Sequence, residues 1–468
     1  MTVIFIGSTI DIEQGVFIKM EYAIIRIVYS MVSAWMTASG TLNDPQLKQG
    51  GFTMSELTYQ HLRDAVAGGA VAMRSSLNLQ PAGGKGDKVF PPSYATDNNA
   101  EHKYAVEKRR VEGSTETTDT VLLDSVASQA NRAESALLEG WERGELQFPV
   151  PYVDFTDTDG LTDYERLTVL EAPHRLADAI FRDSLLDGTL FRLSPMGQAI
   201  TEATPRNATA LFRYSPTALL FGQWDSTGPK GGQGSKFQRA YVSEIVGLDV
   251  SVGLKVGSRI DPLAVERVAD EDKVFNHRDP REVWTTDPDE AETNRGKPVF
   301  ASRGSASGDA GRPSKINHGN IVPSIDAQAG GVTISQARQS TVISFAALRR
   351  LRFRGYDRGA EAAARTAVAA LGVAAIAYQY ELDFDLRSRC LLLPEHAPRL
   401  ELLRRDGSAA EEVTLDRVAS AEILAAAVAG ADAAGLGWET AEMRMVPAPK
   451  LIELLRRSRK AAASAGAE

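Results

Sequence analysis

Cysteine is almost missing from this chain: Cys390 is the only one among 468 residues. That excludes an intrachain disulfide and a zinc site built on several thiolates, and it makes a reducing cytoplasm the natural compartment. Histidine is scarce as well. The six histidines, His61, His102, His174, His277, His318 and His396, never take the i, i+4 spacing of a helical metal site, so neither a metal nor another cofactor is expected. The apolar run Ile24 to Trp35 comes close to a membrane span, but Lys19, Glu21 and Arg26 interrupt the longer stretch a span would need. Those charges also sit in the wrong places for a signal peptide, and no membrane partner is expected. An excess of positive charge is absent too. At a formal net charge of -9 the surface as a whole repels a polyanion, so any nucleic-acid site must be a local basic patch.

What is present is ample apolar material, 43% of the residues, enough for a sizeable core in one elaborated domain or in two to three ordinary ones. Residues 1–53 read as an N-terminal extension, an upstream translation or a dispensable arm. Thr58 to Ala67 reads as a short helix and Ala70 to Leu79 as a half-buried strand, with Arg74, Ser76 and Asn78 interleaved among apolar residues. Tyr104 to Arg110 is extended. Asp124 to Trp141 spaces Val126, Ala130, Ala133 and Leu137 at helical intervals behind Asp124 or Ser125 as N-cap. Pro173 to Leu185 predicts a helix with proline in its first turn. Ala218 to Trp224 predicts a buried strand and Lys236 to Val246 a helix with a stripe of Phe237, Tyr241 and Ile245. From Asp261 to Gly330 no period is sustained, as in a long functional insertion. Val332 to Phe345 predicts a strand, and helices follow near residues 359–377 and 418–434 and at the basic C-terminal stretch.

Chemistry concentrates in a few segments. Trp224 to Arg239 places four glycines, Lys230, Lys236 and Arg239 between the expected strand and the expected helix. Backbone N–H groups at Gly231, Gly232, Gly234 and Ser235 suit an oxyanion, with Gln238 beside them, and phosphate is the obvious guest. The nucleotide motifs fail their spacing: Gln233 stands where a P-loop needs glycine, and Phe237 where the dinucleotide pattern needs its third. A flexible turn is the plain alternative. Arg349, Arg350, Arg352 and Arg354 surround Phe353, a mixture that pairs phosphates and stacks on bases, or else a solvated basic face. Lys85 and Lys88 lie in a third glycine and lysine loop, Asn131 and Arg132 on a helix, and Lys315, Asn317 and His318 in a short basic stretch of the insertion. Asp178 lies four residues after His174, a spacing that more often caps or pairs than catalyses.

Several stretches together resemble the backbone subunit of type I-G CRISPR effector complexes, formerly type I-U, within the RAMP superfamily. They are Leu79 to Pro92, Leu123 to Arg132, Ala172 to Asp178, Trp224 to Arg239, Ser258 to Pro262, Ile316 to Asn320 and Ala346 to Phe353, in order over residues 54 to 360. The resemblance implies an α+β fold: an RRM-like, ferredoxin-like palm in two parts, 54–260 and 331–400, a thumb-like insertion at 261–330 and a helical region at 401–468. It implies a non-catalytic subunit that polymerises along CRISPR RNA and supports target DNA recognition. Its partners would be other copies of itself, other Cascade subunits and a recruited helicase-nuclease. A guide of arbitrary sequence must be held by phosphates and sugars, which basic glycine-rich loops can do. An aromatic-rich reading strand is missing, so base stacking on the palm sheet is not expected. The competing reading is a RAMP-type endoribonuclease using His174 or His318.

Overall fold

The computed structural model describes residues 55–97, 100–110, 115–228, 236–265, 272–302 and 310–465; the N-terminal extension at 1–53 lies outside them. After strand β1 (Ser55–Glu56) comes helix α1 (Tyr59–Asp64), capped by the Thr58 hydroxyl accepting from the His61 amide at 3.2 Å. Strand β2 (Ala72–Pro81) follows the alternation of its sequence: Met73, Ser75, Leu77 and Leu79 are buried while Arg74, Ser76, Asn78 and Gln80 are half-buried on the other face. Strands β3 (Val106–Arg110) and β4 (Thr117–Asp124) form an antiparallel pair. Helix α2 (Val126–Glu142) starts at Ser125, whose hydroxyl accepts from the Ser128 amide.

Two expectations fail in the next stretch. The apolar run 218–224 is mostly helix α3 (Pro216–Phe221), with proline at its first turn, followed by the two-residue strand β5 (Gln223–Trp224). A short apolar run carries no period that separates a strand from a buried helix. The expected helix from Lys236 to Val246 is instead strand β6 (Lys236–Phe237) and strand β7 (Tyr241–Leu248). Its stripe misleads because an interval of four is even, so Tyr241 and Ile245 also share one face of a strand. Val242, Ile245 and Val246 then favour the pleated form. The expected helix 173–185 is broken: a 3₁₀ turn (Arg175–Ala177) precedes a single α turn (Ala179–Arg182) and a strand (Ser184–Leu186), with Arg175 in the left-handed region at φ +52°.

The remaining elements used below are strands β8 (Lys255–Arg259), β9 (Ile321–Asp326) and β10 (Gln336–Ser344), helix α4 (Arg358–Glu381), strands β11 (Leu391–Pro394), β12 (Arg399–Leu403) and β13 (Glu411–Thr414), and helices α5 (Arg417–Ala433) and α6 (Pro449–Ala465). The main sheet runs β1-β13-β12-β2-β10-β7-β4-β3, and β11 also pairs with β2. Neighbours are antiparallel throughout except the parallel pair β1 and β13. In chain order the centre is β2, α2, β7, β10, α4 and β11/β12, a β-α-β-β-α-β alternation with the β3–β4 hairpin inserted, and the fold is α+β.

Both crossover helices cover the same face. Gln129 of α2 shows this directly, its Oε1 accepting from Ser243 Oγ of β7 (2.9 Å), Gln339 Nε2 of β10 (2.8 Å) and Gln379 Nε2 of α4 (3.1 Å). Buried polar groups persist only when satisfied, and this network fixes helix and strand registers together. Helix α4 packs tightly on the sheet. Its alanines and Gly372 leave little more than backbone between them, and a Cβ at 372 would stand 3.0 Å from Ile343 Cδ1. It is the one described helix long and apolar enough to cross a membrane, and 89% of its apolar window is buried in the protein.

The opposite face of the sheet is polar. Arg74 pairs with Glu401 and Arg399 with Glu412 across neighbouring strands, and Arg109 of β3 reaches past β4 to Glu244 of β7. At one end of the sheet the β8–β9 ribbon opens the insertion, with the cross-strand pair Val256 and Ile325 each 69% exposed. Its far end is tied by Arg259 donating to the Gly319 carbonyl at 2.8 Å and by the Asp261 carboxylate accepting from the Gly319 amide.

Candidate nucleic-acid interface

The β5–β6 hairpin is held at its root by a buried ion pair. Arg175 donates two hydrogen bonds to Glu134 of α2, at 2.7 and 2.8 Å, and a third to the Gly222 carbonyl at 2.8 Å. Its guanidinium also lies over the Phe221 ring, 5.5 Å from the centroid. Side-chain exposure is 9% for Arg175 and 2% for Glu134. Burial pushes the Glu134 carboxyl up to about 7, against the opposing pull of Arg175 and, more weakly, of Arg239. Gly222 has φ +84°, and a Cβ there would sit 2.9 Å from the Phe237 carbonyl oxygen, so the two strands can close only over glycine.

Trp224 and Lys236 face each other across the hairpin, with Lys236 Nζ 4.2 Å from the Trp224 ring centroid. Both are exposed, while Phe237 on the other face is buried. The glycine segment therefore connects two antiparallel strands. The expected helix N-terminus that would have faced a phosphate does not exist. Lys230, Gly231, Gly232, Gly234 and Ser235 lie outside the described residues. Gln238 and Arg239, which follow β6, are exposed.

The arginine run divides by role. Arg349 is half-buried and donates to the carbonyls of Val66 and Ala70 at 3.0 and 2.9 Å, and burial draws its guanidinium below the ordinary value. Arg352, itself exposed, reaches the buried Glu361 at 3.0 Å, which Arg365 also holds. Phe353 is 1% exposed and packs edge-on against Phe212, so it offers no face to a base. Arg350 and Arg354 are exposed, and Arg350 donates to Gln238 at 2.9 Å. Hydrogen bonds tie the run to the loop after residue 203: the Arg352 amide donates to the Pro205 carbonyl, and the Arg354 amide to the Asn207 side-chain oxygen Oδ1. That loop exposes Arg206. Lys236, Gln238, Arg239, Arg350, Arg354 and Arg206 thus form one basic strip, with Trp224 at its edge. Neither Trp224 nor Arg206 stood out in the sequence as a site residue.

The other expected site residues are placed elsewhere. Arg74 lies on the open sheet face with Glu401 at 2.7 Å. Lys85 pairs with Glu395 at 3.1 Å and Lys88 donates to the Leu254 carbonyl at 2.8 Å. Their loop follows Pro81, whereas the strip begins beyond Ser344, the partner of Ala72. Ten residues of β2 separate them, roughly 30 Å at about 3.3 Å per residue. Asn131 is exposed, but Arg132 binds the buried Asp124 at 2.9 Å and the carbonyls of Asp385 and Leu386. Lys315 and Asn317 belong to the 3₁₀ turn of the insertion, where Asn317 is left-handed. His318 stands edge-on to Trp284, its Nδ1 3.9 Å from Asp261. The Asp178 carboxylate accepts from the backbone amides of His174 and Ile180, and so caps the turn.

No curated protein matches the chain. A family model does, however: over residues 73–252, from β2 through α2, Arg175 and the β5–β6 hairpin to the end of β7, the chain is similar to the family described as CRISPR-associated protein GSU0053, which points to a role in CRISPR defence.

Proposed function

We propose that this chain is a non-catalytic, cytoplasmic backbone subunit of a type I CRISPR effector complex, of the I-G (formerly I-U) kind. In this reading several copies line up along one CRISPR RNA and present it to target DNA, beside the other Cascade subunits and a recruited helicase-nuclease. The observation that carries the proposal is the basic strip on a negatively charged protein: Lys236, Arg239, Arg350, Arg354 and Arg206 converge from three segments distant in sequence. Phosphate contacts need no base-edge readers, and that suits a guide of arbitrary sequence. The strand order β11/β12-β2-β10-β7 with two helices on one face supports an RRM-like palm. The β8–β9 ribbon supports the thumb-like role and self-association, because a two-stranded ribbon gains little stability alone and exposes Val256, Val322 and Ile325.

The purified chain, incubated with end-labelled CRISPR RNA, should leave it uncut and form salt-sensitive complexes whose mass corresponds to several copies per RNA. Specific cleavage lost in His318→Ala would instead establish the endoribonuclease reading, which the nearness of His318 to Asp261 keeps in view.

A further inference from the structure

A groove on the helical side of the molecule takes no part in the RNA grip. It lies between α5, the chain that leaves α2 at residues 145–150, and the stretch 438–443 that leads into the strand Arg444–Pro447. Its volume is about 810 Å³, in the upper part of the range of roughly 300–1,000 Å³ that ligand sites occupy. Leu146, Phe148, Leu424 and Met443 are buried in its floor. Ala425 and Ala429 of α5 are exposed along one wall, where side chains this short keep the groove wide.

Two observations bear on what covers it. Trp438 lines the groove with its ring tilted against Phe212, centroids 5.9 Å apart, and its indole N–H is buried without an acceptor among the described residues. A buried indole N–H ordinarily finds a partner, so this wall is set to receive one. The charged lining, moreover, is of one sign: Glu145, Asp432, Glu439 and Glu442 border the floor, and no described lysine or arginine does. Arg417 holds Glu145 and Arg213 holds Glu439, but Glu442 is bonded to the uncharged Tyr152 hydroxyl and Asp432 stands exposed. The border therefore stays negative. It repels phosphates and carboxylates, which argues against nucleic acid and anionic lipid as occupants, and it attracts lysine and arginine.

We propose that this groove docks a short basic segment of a partner protein. Apolar anchors of the segment enter the floor, its lysines or arginines meet Asp432 and Glu442, and one of its oxygens accepts from Trp438 Nε1. The apolar floor supplies the affinity, and the acidic border selects the charge of the partner. The inference goes beyond RNA binding and stands whether or not the basic strip holds RNA.

The test is a peptide selection. Phage-displayed random peptides are panned on the full-length protein and compared on Ala425→Arg, in which a long cation fills the groove from an exposed position; an unchanged Tm shows that the fold is kept. The expected result is enrichment of peptides that combine apolar residues with lysine or arginine, and loss of their binding to Ala425→Arg. A synthetic peptide of the enriched sequence should shift the indole N–H resonance of Trp438, one of five tryptophans, assigned by its disappearance in Trp438→Phe. It should bind about tenfold more weakly to the surface double variant Asp432→Lys, Glu442→Lys. Enriched peptides that are acidic, or that bind both variants as tightly as wild type, overturn the proposal, and so does a selection without a binder. Two other results overturn it by giving the groove to another occupant. A wild-type oligomer that Ala425→Arg dissociates assigns it to a second copy, and weaker RNA binding by Ala425→Arg assigns it to nucleic acid.

Discussion

Arg350 donates a hydrogen bond to Gln238 at 2.9 Å across 112 residues of sequence, joining the arginine run to the strand that returns from the glycine segment. Two features that look independent along the chain are one surface. The arginines nearest this contact differ sharply in what they can do. Arg349 serves internal carbonyls and Arg352, though exposed, is held by the buried Glu361, which leaves Lys236, Arg239, Arg350, Arg354 and Arg206 as the strip's cations for a polyanion.

Neutralising the strip should change how RNA binding responds to salt. Each phosphate contact on a single strand contributes about 0.7 to the slope of log K against log salt. The triple variant Lys236→Gln, Arg239→Gln, Arg350→Gln should therefore flatten that slope by about 2, equally for unrelated RNA sequences. Filter-binding titrations between 50 and 300 mM salt check this, and an unchanged slope removes the strip from the interface.

Arg349 should behave in the opposite way. Its guanidinium satisfies the carbonyls of Val66 and Ala70 and braces the end of the α1 segment against the sheet. Hydrogen bonds made by a charged group contribute about 1.5–3 kcal/mol net. Arg349→Met should lower unfolding stability by about 2 kcal/mol in urea titration while leaving the salt slope of RNA binding as it was.

These contrasts show which parts of the molecule local patterning announces. The alternation along Met73 to Leu79 and the apolar spacing from Val126 to Leu137 each fit a single period, and β2 and α2 form where that period places them. The stripe Phe237, Tyr241, Ile245 fits two periods, and sheet pairing with β10 and β4 decides between them. The basic residues illustrate a second limit. Sequence counts charges but does not show that Arg132 is committed to Asp124 or Arg352 to Glu361. Arg206 carries no local signal at all, since its loop is brought to the strip by hydrogen bonds with residues 352 and 354, far away in sequence.

Removing the hairpin's anchor should be costly in a way that depends on pH. Arg175→Met deletes the partner of a carboxylate that is 2% exposed, and breaking a buried pair typically costs about 3–5 kcal/mol. Protonation of Glu134 relieves the unpaired charge. The loss in Tm should therefore be largest near pH 8 and smallest near pH 5. Restoring positive charge with Arg175→Lys should recover part of it, though without the second donor that reaches Glu134 or the bond to Gly222.

Glu134 itself sets the sign of a pH dependence in the wild-type protein. Its carboxyl titrates at about 7 in the folded chain against an ordinary value of 4.5, because burial outweighs the attraction of Arg175. Between those values the folded state holds the proton that the unfolded state has released. This group's contribution is thus fully present below pH 4.5 and is lost as pH rises through 7. Glu134→Gln keeps the shape of the side chain and removes the titration. The difference in Tm between wild type and variant should accordingly shift against the wild type as pH climbs from 5 to 8. Thermal melts of both proteins at unit pH intervals measure it, and a constant difference would mean that Arg175 keeps the carboxylate ionised throughout.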